Sequence, residues 1–288
     1  MSRSLCTGIA VAALLGCALP PPASQRALLL ADQGQEREAI TLLDAHLAEE
    51  PRDTTARRLL VRLLGQIGNL DAARDQAEQL ANVLGKDSPE PWLELGAACE
   101  LAHRYEVALR MYDYAASVAP LNARGPKRGG MRALRWAEFA AAEPRLEEAV
   151  RRDPADPETW HALGLTRLKL GRLDAARDAY ASGMRADPSA LENRLGLATV
   201  ALRAQDPQAA LREYDALIAA RPSFADAYLG KSWSLILLGR LSEAEQALAL
   251  AETAGGSHAV LARQRRALAG LKRSNREPAP SVEGNERR

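Results

Sequence analysis

Aromatic residues make up only 4% of this 288-residue chain, although 47% of it is apolar. A core with so few rings is built mainly of Ala and Leu, which suits close-packed helices and excludes a typical β-sandwich. Cysteine is equally scarce, with three in all. Cys6 and Cys17 stand near the N-terminus, so Cys99 is alone in the body of the chain and no disulfide framework is available to it. Cys99 falls at an inward helical position and reads as a small buried hydrophobe. His46, His103, His161 and His258 are far apart in the chain. There is no H-E-x-x-H, no C-x-x-C pair and no G-x-S-x-G elbow. The carboxylates sit where solvated helix faces belong. The chain therefore reads as a non-enzyme without metal or cofactor. An excess of one charge is also missing, with 38 Lys+Arg against 37 Asp+Glu. Such a balance excludes a general attraction to nucleic acid or anionic lipid.

The chain lacks an apolar run long enough to span a membrane, which takes roughly 20 residues. Leu5 to Gly16 is uncharged and mostly apolar, but Pro20, Pro21 and Pro22 end the stretch. Arg3, a short apolar core and small residues near its end have the form of an export signal. That end, Leu14-Leu15-Gly16-Cys17, resembles the lipobox of bacterial lipoproteins, with Leu15 bulkier than usual. The resemblance implies a signal peptide over 1–16, cleavage before Cys17, and acylation of Cys17 at the head of a short linker (17–22). Two or more acyl chains, at about 0.8 kcal/mol per buried CH₂, hold a protein stably on a bilayer. Ala18, where Asp would resemble an inner-membrane retention signal, implies the periplasmic face of the outer membrane.

The strongest internal signal is a period of 34. Trp160, Leu163, Gly164, Gly171, Ala176, Tyr180 and Pro188 are matched 68 residues earlier by Trp92, Leu95, Gly96, Ala108, Tyr112 and Pro120. One period later stand Leu197, Ala198, Ala210, Tyr214 and Pro222, then Tyr228, Leu235, Gly239, Ala244 and Leu248. Upstream, Leu60, Leu64, Gly68 and Ala73 continue the series, preceded by Ala27, Leu30, Gly34, Ala39 and Leu43. Residue types at these offsets resemble the tetratricopeptide (TPR) repeat. Seven windows result, 20–53, 54–87, 89–122, 123–156, 157–190, 191–224 and 225–258, with Ser88 as spacer. The expected fold is all-α, a right-handed superhelix of helix pairs that stabilise one another by stacking. Asp174 and Asp206-Pro207 read as starts of second helices. The segment 258–273 carries Val260, Leu261, Leu268 and Leu271 at helical spacing and reads as a capping helix. The polar segment 274–288 reads as a disordered tail.

Window 123–156 is irregular. Pro126, Gly129 and Gly130 fall where its first helix should be under way, and each Gly costs about 1 kcal/mol against Ala. The expectation is a basic loop carrying Arg124, Lys127, Arg128, Arg132 and Arg135, a late helix starting near Gly130, and a bend in the array.

The TPR resemblance implies that first helices line a concave groove for protein segments. Carried onto this chain, the lining stripe is Leu93, Lys127, His161, Leu195 and Leu229, followed one turn later by Met131, Leu165, Thr199 and Trp233. The asparagines of the carboxylate-binding relatives are missing from the stripe, so an apolar or amphipathic segment is the expected ligand. Arg58 and Arg62 make the second window's stripe cationic. A lipobox followed closely by repeats resembles the pilotins of type IV pili, which help an outer-membrane secretin assemble. The alternative expectation is an adaptor in a gliding-motility or cell-wall synthesis complex. Oligomeric state is left open.

Overall fold

The computed structural model describes residues 21–274, so Cys17, the export signal and residues 275–288 of the tail lie outside the described residues. Fifteen helices and no strand occur among the described residues. The first six are α1 (Ala23–Asp32), α2 (Glu36–Glu49), α3 (Thr54–Gln66), α4 (Leu70–Leu84), α5 (Glu90–Leu101) and α6 (Tyr105–Val118). Next come α7 (Arg124–Arg135), α8 (Phe139–Arg152), α9 (Pro157–Lys169), α10 (Leu173–Ala186), α11 (Leu191–Arg203) and α12 (Pro207–Ala220). The array ends with α13 (Ala225–Leu237), α14 (Leu241–Thr253) and α15 (His258–Ser274). Seven antiparallel pairs stack in chain order as a right-handed superhelix, and α15 closes the last pair.

Local chemistry sets the helix ends. Asp53, Asn69, Asp156 and Asp206 each accept a backbone N–H of the first turn with the side chain, which satisfies donors that have no partner within the helix. Asp174 does not act this way. Arg172 occupies the N-cap position of α10 and Asp174 sits in its first turn, where a negative charge favours the helix dipole. Each first helix ends in a residue of left-handed backbone: Gly34, Gly68, His103, Ala137, Gly171, Gln205 and Gly239. The amide after each of them closes a six-residue ring back to the helix, as in Arg172 N–H to Arg167 O at 2.9 Å. The sequence period is thus repeated in the backbone, with three residues other than glycine at strained positions.

Large rings stand against missing side chains. Tyr112 lies over Gly96, Tyr180 between Gly164 of its own pair and Gly196 of the next, and Tyr214 over Gly230. Tyr112 and Tyr180 are fully buried. One ring therefore fixes both the spacing within a pair and the spacing to its neighbour.

The fourth pair corrects the sequence reading. There is no basic loop before Gly130, because α7 is helical from Arg124 onward. Pro126 is accommodated in the first turn, where a missing N–H costs no intrahelical bond. Gly125 lies against the Ala116 backbone of α6, Gly129 beside Tyr112 and Arg145, and Gly130 against Leu146 of α8. These glycines are contact surfaces, and the burial they permit outweighs their low helix propensity. Arg152 holds the preceding turn by donating from Nη1 to the carbonyls of Ala116, Ala119 and Asn122, at 2.9–3.1 Å.

Seated deeply on α6 and α8, α7 stands apart from α5. Among consecutive first helices α3 and α5 pack closely, whereas contact is thin between α11 and α13 and thinner still between α5 and α7. At the far end, α15 buries Leu261 and Leu268, and Gln264 Nε2 donates to Leu229 O at 3.1 Å. Leu271, expected on the same face, is exposed.

Candidate functional site: the inner groove

The separation of α5 and α7 opens a cavity of about 700 Å³ whose walls are Leu93 from α5 and seven residues of α7. Arg124, Lys127, Arg128, Arg132 and Arg135 supply its charge, and Met131 and Leu134 its apolar floor. Met131 and Leu134 also line a second cavity of about 580 Å³, formed with His161 of α9 and with Glu192 and Asn193 of α11. The two are one groove with a cationic end and an acidic end, the latter lined by Glu158, Asp187 and Glu192.

Several of the cations are already neutralised. Arg124 pairs with Glu90 of α5, and Arg132 Nε lies 3.0 Å from Glu100 Oε1. Lys127 Nζ bridges Asp156 (2.7 Å) and Glu158 (2.6 Å) at the start of α9. The cationic stripe expected at Arg58 and Arg62 is quenched in the same way. Arg62 grips buried Glu94 through two hydrogen bonds of 2.5 and 2.9 Å, and Arg58 lies 3.9 Å from Glu90. Among the described residues, Arg128 and Arg135 have no carboxylate within 4 Å. Arg128 instead lies over the Tyr112 ring, 5.7 Å from its centroid.

Burial lowers the His161 pKa, against the opposing pull of Glu192 and Glu158. The ring packs on Tyr180, and its Nδ1 is buried without a hydrogen-bond partner among the described residues. Burial pushes the Cys99 thiol up, so it stays protonated and unreactive at neutral pH. Burial also raises the Tyr112 pKa, helped by the hydrogen bond its hydroxyl donates to Glu100.

The structure brings together Lys127, Met131 and His161 from the sequence-derived stripe. Leu165, Leu195 and Thr199 follow along the inner face, half-buried, with Thr199 Oγ1 donating to Leu195 O. Trp233 is the exposed aromatic at the C-terminal end, 36% accessible, with exposed Leu237 one turn on. Two members of the stripe are corrected. Leu93 is 1% exposed and contributes a wall rather than a protruding contact, because Tyr112 and its neighbours pack around it. Leu229 is 6% exposed because the last pair has α15, not solvent, over this helix. Sequence reasoning missed Glu90, Glu94 and Glu100, which cancel nearby arginines. Their signal was the spacing itself, since Glu90 lies 34 residues before Arg124 and Glu94 lies 32 after Arg62.

No helix among the described residues is long and apolar enough to cross a membrane, and no group of three His, Cys, Asp or Glu is placed to hold a metal ion.

The "Tetratricopeptide repeat" family profile matches residues 24–91, 128–190 and 195–259, more than half of the chain. Among curated proteins, "Cytochrome c-type biogenesis protein CcmH" of Escherichia coli (strain K12) is 38% identical over 62 residues, 22% of this chain. That match spans only 18% of the relative's own length. The solved structure of YrrB, "a TPR protein with an unusual peptide-binding site", superposes with a TM-score of 0.57 at 17% identity, over 66% of this chain and 97% of that one. The C-terminal part of a TPR repeat-containing protein from Cytophaga hutchinsonii gives 0.54 at 16% identity, over 88% and 96%. MamA gives 0.53 at 19%, over 56% and 94%. These structures share the fold of the array, and by its repeats the chain belongs to the tetratricopeptide repeat family.

Proposed function

We propose that this chain is a scaffold for protein–protein assembly in the bacterial envelope, anchored through an acylated Cys17 to the periplasmic face of the outer membrane and holding an amphipathic segment of its partner in the inner groove. The observation that carries the partner reading is the cavity between α5 and α7, apolar at Leu93, Met131 and Leu134 and rimmed by cations. Leu14-Leu15-Gly16-Cys17 supports the anchor, because lipidation chemistry needs the sulfur. The layout of a lipobox followed by repeats supports a pilotin of a type IV pilus secretin.

Two measurements test this. Intact mass of the mature protein should reveal acyl chains on an N-terminal Cys17, and Cys17→Ser should leave a folded chain free of the membrane. An unlipidated chain cut elsewhere overturns the anchor. A deletion strain should lose secretin multimers, and their persistence overturns the pilotin role. A second reading is favoured by the 62-residue likeness to CcmH, namely assembly of c-type cytochromes. Loss of these cytochromes with secretin multimers intact would select it.

A further inference from the structure

The geometry of α7 points to the chemistry of the occupant: we propose that the cavity between α5 and α7 receives an acidic amphipathic helix with two carboxylates seven residues apart and an apolar side chain between them. This rests on the reading of the groove as a partner site.

Three observations carry it. First, Arg128 and Arg135 are cations of the cavity that no carboxylate among the described residues neutralises, whereas Arg124, Lys127 and Arg132 are each paired. The charge left over is therefore local and directed, although the whole chain is nearly neutral. Second, Arg128 and Arg135 are seven residues apart on one regular helix, which is two turns and about 10.5 Å at 1.5 Å per residue. Met131 lies between them on the same face and forms the apolar floor with Leu134. Third, backbone contact between α5 and α7 is sparse, and the two helices are joined mainly by the ion pairs Arg124–Glu90 and Arg132–Glu100, which leaves the space between them to an occupant.

A second helix meets this pattern in register. Its residues i and i+7 are also about 10.5 Å apart on one face, with i+3 and i+4 between them. An extended strand covers that distance in three residues, which puts the two carboxylates on opposite faces. The spacing therefore selects a helix, and the paired guanidinium groups select carboxylates, which they bind in a planar, two-point fashion.

The test uses the full chain and two synthetic helical peptides about five turns long, of identical composition. One carries Glu at i and i+7 around Leu at i+3 and i+4. The isomer has both Glu residues moved to the opposite face. Fluorescence anisotropy should give saturable binding of the first and at least tenfold weaker binding of the isomer. Arg128→Gln with Arg135→Gln should weaken the first peptide at least tenfold, and Arg110→Gln, on the outer helix α6, should not. Because Arg128 also contacts Tyr112, Arg135→Gln alone provides a variant that leaves the core untouched, and thermal melts verify folding. No saturable binding, or equal binding of the two peptides, overturns the proposal. So does binding of phosphatidylglycerol vesicles, with the peptides inert, that is lost in the same arginine variants. If the isomer binds equally and Met131→Glu abolishes both, the acidic register fails while the groove reading stands. If Met131→Glu changes neither, the groove reading itself fails.

Discussion

Gly130 of α7 lies directly against Leu146 of α8, so that a methyl group added at Gly130 would stand 2.6 Å from Leu146 Cγ. On helix propensity alone, Gly130→Ala should stabilise by about 1 kcal/mol. Overpacking a dense contact costs about 1–3 kcal/mol, and Leu146 is fully buried with nowhere to retreat. The net expectation is a loss of up to about 2 kcal/mol in chemical denaturation. Gly129→Ala differs, because its nearest neighbours, Arg145 Cδ at 3.1 Å and Tyr112 Cβ at 3.2 Å, are tight contacts and not overlaps, so the helix-propensity gain offsets them. That variant should fall within about 0.5 kcal/mol of the wild type.

Ala137 has φ +63° at a turn where four of the seven repeats place glycine. A Cβ in left-handed backbone costs about 1–2 kcal/mol, so Ala137→Gly should stabilise by up to about 1 kcal/mol after the entropy of the unfolded glycine is counted. Gly171→Ala is the mirror test. No atom lies within 4 Å of its added Cβ, so its loss of about 1 kcal/mol would be a backbone effect alone. Melting temperatures of the two variants should move in opposite directions.

Most of the fold was legible because its determinants recur. Tyr180 with its glycines and the left-handed turn residues each serve a local purpose that other repeats need again. The illegible part depends on neighbours that no window contains. Gly129 and Gly130 signal helix breaking by propensity, and only the presence of Tyr112 and Leu146 turns them into packing surfaces. The burial of Leu229 was hidden for the same reason, since the equivalent Lys127, His161 and Leu195 are only half-buried and the added cover of Leu229 comes from α15. Within the candidate site the cationic character of α7 was readable. Which of its charges remain unpaired was not, because Glu90 and Glu100 reach it from α5 across the cavity.

Removing α15 should destabilise the array far more than trimming the tail beyond Ser274. The helix buries Leu261 and Leu268 and covers Leu229. Each fully buried leucine is worth about 1.5–3 kcal/mol, so a chain ending at Ser257 should lose about 3–6 kcal/mol and bind an apolar dye. A chain ending at Ser274 keeps these contacts and should melt within about 2 °C of the full chain. Equal melting temperatures for the two truncations would show that α15 is not a cap.

Lys127 couples the fourth and fifth pairs, because Asp156, which it contacts, also caps α9 by accepting the Glu158 N–H at 3.1 Å and the Thr159 hydroxyl at 2.5 Å. Burial acts to raise the Asp156 pKa, but Lys127, Thr159 and the Glu158 amide outweigh it and hold the carboxyl below its ordinary 3.8. Burial acts to lower that of Lys127, but Asp156 and Glu158 outweigh it and hold the amine above 10.5. The carboxylate's contribution is therefore complete above pH 3.8 and is lost as pH falls through its lower folded value. The ammonium's contribution is complete below pH 10.5 and is lost as pH rises through its higher folded value. Between these limits the bridge should be flat with pH. Lys127→Met should cost about 0.5–1 kcal/mol, as a partly exposed pair does. Asp156→Ala should cost about 1–2 kcal/mol, because the cap goes with the bridge. Denaturant titrations across pH should show the Lys127→Met deficit constant from about pH 5 to 9 and shrinking in stronger acid. A deficit that persists unchanged at the lowest pH where the chain remains folded would mean that the lysine stabilises by packing its aliphatic stem and not by its charge.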